Sequence, residues 1–337
     1  INSSWVIGRS KEGKLVYLDC GSDEKLHPQM GAPELDQTTG KPIVTLEKLI
    51  NTSNAEYTGY LTNSWKQILS LPQGPGLPIT YFVDPNFDVN TANGIIAAAK
   101  NVFTHFSNYV DKPVPTFAIL STNSEFENSI IRTNPIFNQM SDFQKTNIMN
   151  RQNAVYDLQG NYTRKNGSAV TFKIYNNNQW VAMGQIYRYS KSASGSLTDV
   201  SGGAHEAMHV IQCMIGVDLN KFPMWFIEGQ ATQVGDIFES SNATDVQVAT
   251  VMRAFPFPDG YDDLNKLETY SGMDPYGMAY SEGMAASNYL TGKYGLKAVI
   301  SFMRTAAAST WQTNFEKSFG VSYKTFYSDV IPFIEWL

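Results

Sequence analysis

A short motif at residues 205–209, His-Glu-x-x-His, constrains this chain more than any other feature of its sequence. The motif lies within residues 202–216, which we predict to form a helix. Side chains at positions i and i+4 lie one above the other on a single helix face, so His205 and His209 point in the same direction. Glu206 follows the first of them directly. The motif therefore predicts a helix with two imidazoles and a carboxylate at one point of its surface.

Two imidazoles at this spacing can bind one metal ion, and a glutamate beside the first imidazole can reach a water on that ion. Zinc lowers the pKa of its bound water to roughly 7, which makes hydroxide available at neutral pH. We therefore expect one Zn²⁺ per chain, with His205 and His209 as ligands and Glu206 as the general base. The alternative is a helix whose two histidines only pack or cap.

A catalytic zinc site needs a third protein ligand and one open position. A third histidine six residues after His209 is excluded, because that position is Ile215. Glu228 is the candidate, and eighteen residues separate it from His209. They leave room for the first helix to end at Gly216 and for a second, antiparallel helix to begin near Met224. On that second helix Glu228 would face the two histidines.

Three further residues share these helix faces. Thr232 and Asp236 follow Glu228 by four and eight positions, so they could orient a ligand histidine or form a solvated or capping pair. Cys213 follows His209 by four positions, where it is either a rival ligand or a small core residue. The sequence leaves both questions open.

The segment Trp225–Ala231, Trp-x-x-Glu-Gly-x-Ala, completes a pattern that resembles the gluzincins, in particular the aminopeptidase N and leukotriene A4 hydrolase family and related peptidase families. A third segment, Tyr280–Leu290, is similar to the Tyr-x-x-Gly helix of that family. There the tyrosine donates a hydrogen bond to the oxyanion of the tetrahedral intermediate. The resemblance, which covers roughly residues 180–295, implies this role for Tyr280, with Tyr276 as the competing candidate.

One departure from the family concerns the strand before the zinc helix. The aminopeptidases carry Gly-x-Met-Glu-Asn there, and its glutamate holds the free amine of the substrate. The nearest match in this chain is Val181–Gln185, in which Gly184 replaces the glutamate. An endopeptidase is therefore as good a prediction as an exopeptidase. The strand could still bind an extended substrate by edge addition.

The order of the predicted elements, a sheet first and helices afterwards, indicates an α+β fold. The resemblance implies a thermolysin-like gluzincin domain, in which a twisted sheet with helices precedes a helical subdomain and the active-site cleft lies between them. A cluster of Gly and Pro at 71–76 predicts a boundary between a small N-terminal unit of unknown role, residues 1–75, and a catalytic domain, residues 76–337. Within that domain we expect a β-rich subdomain at 76–200 and a helical subdomain at 201–337.

The patterning also predicts individual elements. The predicted strands are residues 5–7, 15–18, 79–83, 115–120, 170–175 and 179–188, with a hairpin turn at Asn166–Gly167. The predicted helices are residues 57–69, 90–109, 134–149, 202–216, 224–239, 243–254, 278–293, 296–306, 311–319 and 323–335.

Composition limits the partners. Hydrophobic residues make up 42% of the chain and charged residues 17%, as in ordered globular proteins. The net charge of −6 argues against nucleic acid as the main partner, and no apolar run is long enough to span a bilayer. The abundance of Asn, Ser, Thr and Tyr over Lys favours an exported protein: extracellular, periplasmic or at the cell surface. The sequence leaves open the oligomeric state and whether Cys20 and Cys213 pair.

Together these features predict zinc-dependent hydrolysis of peptide bonds in a peptide or protein substrate. Glu206 would act as the base of a metal-activated water and Tyr280 would stabilise the oxyanion. One alternative is a non-catalytic, zinc-containing binding module on the same scaffold, and another is a zinc hydrolase of a non-peptide substrate. The intact Glu206 speaks against the first, because a structural zinc needs no base and usually has four His or Cys ligands.

Overall fold

The computed structural model describes residues 5–9, 15–19, 54–111, 113–143, 145–146, 148, 157, 159–160, 167–176, 179–189, 200–218, 221–239, 264–269, 278–304 and 309–337. At 5–9, 15–19, 139 and 278 it describes the backbone alone. Within these ranges helices and strands combine into an α+β fold, as the sequence predicts.

The strands form two sheets. The first pairs β1 and β2 in antiparallel fashion, and the second has the order β3-β4-β6-β5. β3 and β6 both run parallel to β4, whereas β5 is antiparallel to β6 and forms one edge of the described sheet. The strands are β1 (Trp5–Arg9), β2 (Leu15–Asp19), β3 (Ile79–Val83), β4 (Thr116–Ser121), β5 (Ser168–Asn176) and β6 (Gln179–Arg188).

Polar side chains cap the N-termini of several helices. Asn54, Asp88, Asn123, Thr310 and Ser322 each accept a hydrogen bond from a backbone N–H of the first turn, which satisfies a donor that has no partner within the helix. The helices are α1 (Ala55–Leu69), α2 (Val89–Phe106), α3 (Ser124–Thr133), α4 (Val200–Ile215), α5 (Met224–Glu239), α6 (Met278–Tyr294), α7 (Leu296–Arg304), α8 (Trp311–Phe319) and α9 (Tyr323–Trp336).

The main core lies among the helices. α4 packs between α2 and α5, and α6 packs against both α5 and α1. Leu61, Trp65 and Ile68 of α1 are buried in this same core. A buried polar network adds to the contact, because Ser64 donates to Asn288 over 2.7 Å and Gln233 donates to Ser64 over 2.7 Å. Helix α1, which lies before the predicted boundary at residue 75, therefore packs against helices that lie after it.

The four-stranded sheet separates this core from a smaller one. Phe117, Ile119, Ile174 and Ile186 pack on the far face with residues from α3 and the 3-10 helix Pro135–Gln139. A bidentate ion pair lies nearby: Arg188 at the end of β6 donates to Glu127 over 2.9 and 2.6 Å, and both residues are buried. The sheet thus presents its other face to α2 and α4.

Two expectations from the sequence differ from the structure. The first part of the α-helix expected over 134–149 is instead the 3-10 helix Pro135–Gln139, which ends at Met140 because the backbone there is extended, with ψ of 141°, whereas residues 142–143, 145–146 and 148 are α-helical as predicted. Strand β6 was expected to be open to an extended substrate, but it lies between β4 and β5, so that its backbone is already paired on both sides. The predicted helix at 243–254, Tyr276 and the turn residue Asn166 lie outside the described residues.

Candidate metal centre

Helices α4 and α5 bring the motif residues together. On α4, Gly203 allows the helix backbone to approach α2 closely, because a Cβ at this position would lie 2.7 Å from the carbonyl oxygen of Ile95. On α5, the buried Trp225 anchors the first turn and donates a hydrogen bond to the Tyr327 hydroxyl over 2.9 Å. Both helices are therefore fixed by packing at the ends that carry His205 and Glu228.

Three ligand atoms converge between the two helices. Nε2 of His205 and Nε2 of His209 each lie 3.3 Å from Oε2 of Glu228, and the two nitrogens are 3.0 Å apart. Among the described residues these three side chains form the one group of His, Cys, Asp or Glu with a metal-ligand arrangement. The buried free thiol of Cys213 does not belong to that group. The structure thus brings together the three residues that the sequence predicts as ligands.

Gln212 fixes the orientation of one ligand. Its side chain is fully buried, and its amide nitrogen donates to the carbonyl of Ile227 and to Oε1 of Gln230, each over 2.9 Å. A backbone carbonyl can only accept, so the amide oxygen must face His209, where it lies 2.9 Å from Nδ1. Nδ1 of His209 therefore carries a proton, and Nε2 is the nitrogen that faces His205 and Glu228.

Thr232 contacts His205 at the same ring nitrogen that Gln212 contacts on His209. Its Oγ1 lies 3.3 Å from Nδ1 of His205, and when that nitrogen is protonated the hydroxyl oxygen can accept its hydrogen bond. The second residue of the expected pair, Asp236 of α5, accepts a hydrogen bond over 3.3 Å from the hydroxyl of Ser201, which lies in the first turn of α4. Burial raises the pKa of Asp236 to about 7. Thr232 thus contacts a ligand histidine, whereas Asp236 contacts the first turn of the helix that carries both histidines.

The charges of the group are strongly coupled. Burial alone would raise the pKa of Glu228, but hydrogen bonding and charge from His205 and His209 lower it well below its ordinary value. Burial alone would lower the pKa of His209, but Glu228 and Glu206 raise it to about 9. Without a metal, a proton on Nε2 of His209 therefore balances the Glu228 carboxylate at neutral pH.

The arrangement also fits a zinc ion. Oε2 of Glu228 is buried, and the two imidazole nitrogens that face it each lie 3.3 Å away. The circle through the three atoms has a radius of about 1.9 Å, close to zinc bond lengths of about 2.0–2.2 Å, so the three atoms are spaced to bind one ion. Two imidazole nitrogens and one carboxylate oxygen are also a donor set that catalytic zinc sites use.

Glu206 lies beside this group. Its side chain is 7% exposed, and its negative charge acts on His209. The hydroxyl of Thr171, on edge strand β5, donates to Oε2 of Glu206 over 2.5 Å. The predicted general base is thus near the ligands and is held by the sheet.

Tyr280 also reaches the site. Its ring stacks on His205 with 5.6 Å between centroids and 18° between planes. Two glycines allow this approach of α6 to α5: a Cβ on Gly229 would collide with the backbone of Gly283, and a Cβ on Gly283 would collide with the carbonyl of Trp225. The glycines of the two motifs therefore have a packing role.

Gly184 has a packing role as well. A Cβ there would lie 2.6 Å from Cζ of Phe117 and would also collide with the Phe172 ring. A glutamate could not occupy this interior position of β6 without displacing both rings. The edge of the described sheet near the ligands is β5, the strand of Thr171. The contacts of Thr171, Gln212 and Gln230 could not be predicted, because single polar residues in strands and helices have no characteristic spacing.

No protein-family model matches the chain, and no curated protein sequence matches it either. Within the described part of the chain, no helix combines the length and the apolar character needed to cross a membrane.

Proposed function

We propose that the protein is a zinc-dependent peptidase with a thermolysin-like gluzincin fold. The observation that carries the proposal is the convergence of His205, His209 and Glu228 at distances that suit one zinc ion, with Glu206 next to it. His205 and His209 would bind the ion through Nε2 and Glu228 through its carboxylate. When bound, zinc acts as a Lewis acid on the scissile carbonyl and lowers the pKa of a water.

The protein's own groups would carry the remaining chemistry. Glu206 accepts a proton from the attacking water and delivers it to the leaving amine. The Tyr280 phenol, whose ring stacks on His205, donates a hydrogen bond to the developing oxyanion. Thr171 holds the Glu206 carboxylate in position through its hydrogen bond. The substrate would bind in an extended conformation along β5, the sheet edge nearest to Glu206.

Zinc content and peptide cleavage together test the proposal. Wild type purified without chelators should hold about one zinc per chain, as expected for a site with three protein ligands. Glu228→Ala should lose most of it, because one of three ligands is gone. Glu206→Gln should keep the zinc but lose the cleavage of a denatured protein substrate by a factor of at least about 100.

The outcomes also separate the alternatives. Zinc binding without peptide cleavage in wild type would favour a binding module or a hydrolase of another bond. A wild-type protein that cannot be loaded with zinc would remove the basis of the proposal. Exchange of Tyr280 for Phe, which keeps the ring on His205, isolates the hydroxyl: kcat should fall and zinc content should not.

A further inference from the structure

Lys173 places a positive charge in the expected substrate path. It lies on β5 two positions after Thr171, so that both side chains point to the same face of the strand. That face is turned towards α4, because Thr171 donates to Glu206 and the cross-strand neighbour of Lys173, Met183, belongs to the helical core. Side chains of the other face, including Phe172, pack in the smaller core.

The charge of Lys173 acts on Cys213, which lies one turn of α4 after His209. Burial raises the pKa of the Cys213 thiol to about 11, and the nearby charge of Lys173 acts in the opposite direction. Cys213 follows His209 by one turn of α4. β5 therefore runs alongside α4 from Glu206 past His209 towards Cys213, with Thr171 near the start of this interval and Lys173 near its end.

Within the described ranges, the neighbour recorded for this charge is an aromatic ring. Nζ of Lys173 lies over the ring of Trp180 at 5.1 Å from its centroid, a contact that leaves the ammonium's hydrogen-bond donors available. None of the ion pairs among the described residues includes Lys173. Its side chain is half-buried, which makes an ionic contact stronger than on an open surface. A half-buried lysine of this kind is suited to bind a carboxylate.

We propose that Lys173 selects peptide substrates with a carboxylate at the position that faces it, an inference that rests on the peptidase function proposed above. A peptide that pairs with the edge of β5 presents alternate side chains to the face of Thr171 and Lys173. The carboxylate lies about 7 Å along the strand from the side chain opposite Thr171, which is the spacing of two residues. Its source is either a Glu or Asp side chain or the C-terminal carboxylate of the peptide.

The experiment starts from a peptide that wild type cleaves, with its scissile bond identified by mass spectrometry. Each residue on either side of that bond is replaced in turn by Glu, Gln and Lys, and each peptide is made with a free and an amidated C-terminus. At one position, kcat/KM for Glu should exceed that for the isosteric Gln by about tenfold, the effect of one charge-assisted hydrogen bond. If the C-terminal carboxylate is the ligand, amidation alone reduces kcat/KM by this factor.

Variants then assign the preference to Lys173. Lys173→Met should abolish it, Lys173→Arg should retain it, and Lys173→Glu should reverse it in favour of the Lys peptide. Lys317→Met, the same exchange at an exposed site on α8, should behave as wild type. The preference should weaken with added salt, because the contact is only half-buried.

Two results overturn the inference: Glu and Gln peptides cleaved within twofold of each other at every position with no effect of amidation, or a preference that survives in Lys173→Met. If Lys173→Met is unfolded by circular dichroism, the reversal in Lys173→Glu and the retention in Lys173→Arg decide instead. Failure of the peptidase function itself has a different signature, since wild type then cleaves no peptide or Glu206→Gln cleaves as well as wild type.

Discussion

Replacing Gln212 by Leu tests whether this side chain positions His209 for a metal ion, in addition to its role in stability. The leucine is similar in size, but it removes the acceptor for Nδ1 of His209 and the donor to Ile227 and Gln230. A buried polar group left without its hydrogen bond costs about 1–3 kcal/mol. The variant leaves three such groups without a partner, namely Nδ1 of His209, the Ile227 carbonyl and Oε1 of Gln230. Because they can partly move or bind water, the costs do not add in full, and we expect the free energy of unfolding of the metal-free protein to fall by about 2–4 kcal/mol.

The effect on zinc is separate from this loss. Without its acceptor, the His209 ring loses the contact that fixes its protonated nitrogen and its rotation, and changes of this kind reduce metal affinity by about 10- to 100-fold. Gln212→Glu keeps an acceptor oxygen for Nδ1 but removes the amide N–H. It should therefore retain zinc affinity better than Gln212→Leu, although it loses the bond to the Ile227 carbonyl.

Gln233→Leu is the matched control. Gln233 is 1% exposed on α5, and its amide nitrogen lies 2.7 Å from Oγ of Ser64, 3.2 Å from Oδ1 of Asn288 and 3.3 Å from Oγ1 of Thr291, none of which belongs to the proposed metal ligands. This variant should lose stability to a similar extent and keep its zinc affinity within about twofold.

Zinc affinity is measured by competition with a chromogenic chelator, and stability by urea unfolding after chelator treatment. If Gln212→Leu binds zinc as wild type does, or if Gln233→Leu weakens zinc as much, the positioning argument fails.

Three further predictions concern charge and packing. Since the pKa of His209 is raised from 6.5 to about 9, its protonation stabilises the metal-free protein fully below pH 6.5, and this contribution is lost as the pH rises to about 9. Urea unfolding across this range should show the decline without zinc and a smaller one with it. Glu127→Ala removes the carboxylate that accepts two hydrogen bonds from the buried Arg188 guanidinium, so the free energy of unfolding should fall by about 3–5 kcal/mol, with zinc content unchanged by elemental analysis. Gly229→Ala forces α5 away from Gly283 and should cost at least about 1–3 kcal/mol, with a lower kcat, whereas an unchanged melting temperature would contradict the packing argument.

The clustering of His205, His209 and Glu228 was predictable because metal binding by such residues imposes a spacing. His205 and His209 must be one turn apart on a helix, and a Glu on a following helix can be recognised by its distance along the chain. Helix α5 begins at Met224, the residue that the sequence predicts. The spacing of apolar residues likewise predicted most strands and helices, since it acts between residues close in sequence.

The supporting groups were not predictable because their contacts are distant in sequence. Thr171 precedes Glu206 by 35 residues, and nothing in its neighbourhood distinguishes it from other strand threonines. Gln212 and Gln230 are polar residues on helices, a pattern that normally indicates a solvated face. Strand order is equally non-local: residues 179–188 were predicted as a strand, but that β6 lies inside the sheet depends on β4 and β5.

The crossing of α5 and α6 at Gly229 and Gly283 limits which insertions could change the separation of Glu228 and Tyr280. Backbone touches backbone there, so no flexible side chain can adapt to a change in the spacing of the two helices. Glu228 directly precedes one glycine, and Tyr280 precedes the other by three residues, so the crossing sets their separation. Insertions between residues 239 and 278 would leave this separation unchanged, whereas one residue inserted between Tyr280 and Gly283 would turn the phenol by about 100° away from the candidate metal centre.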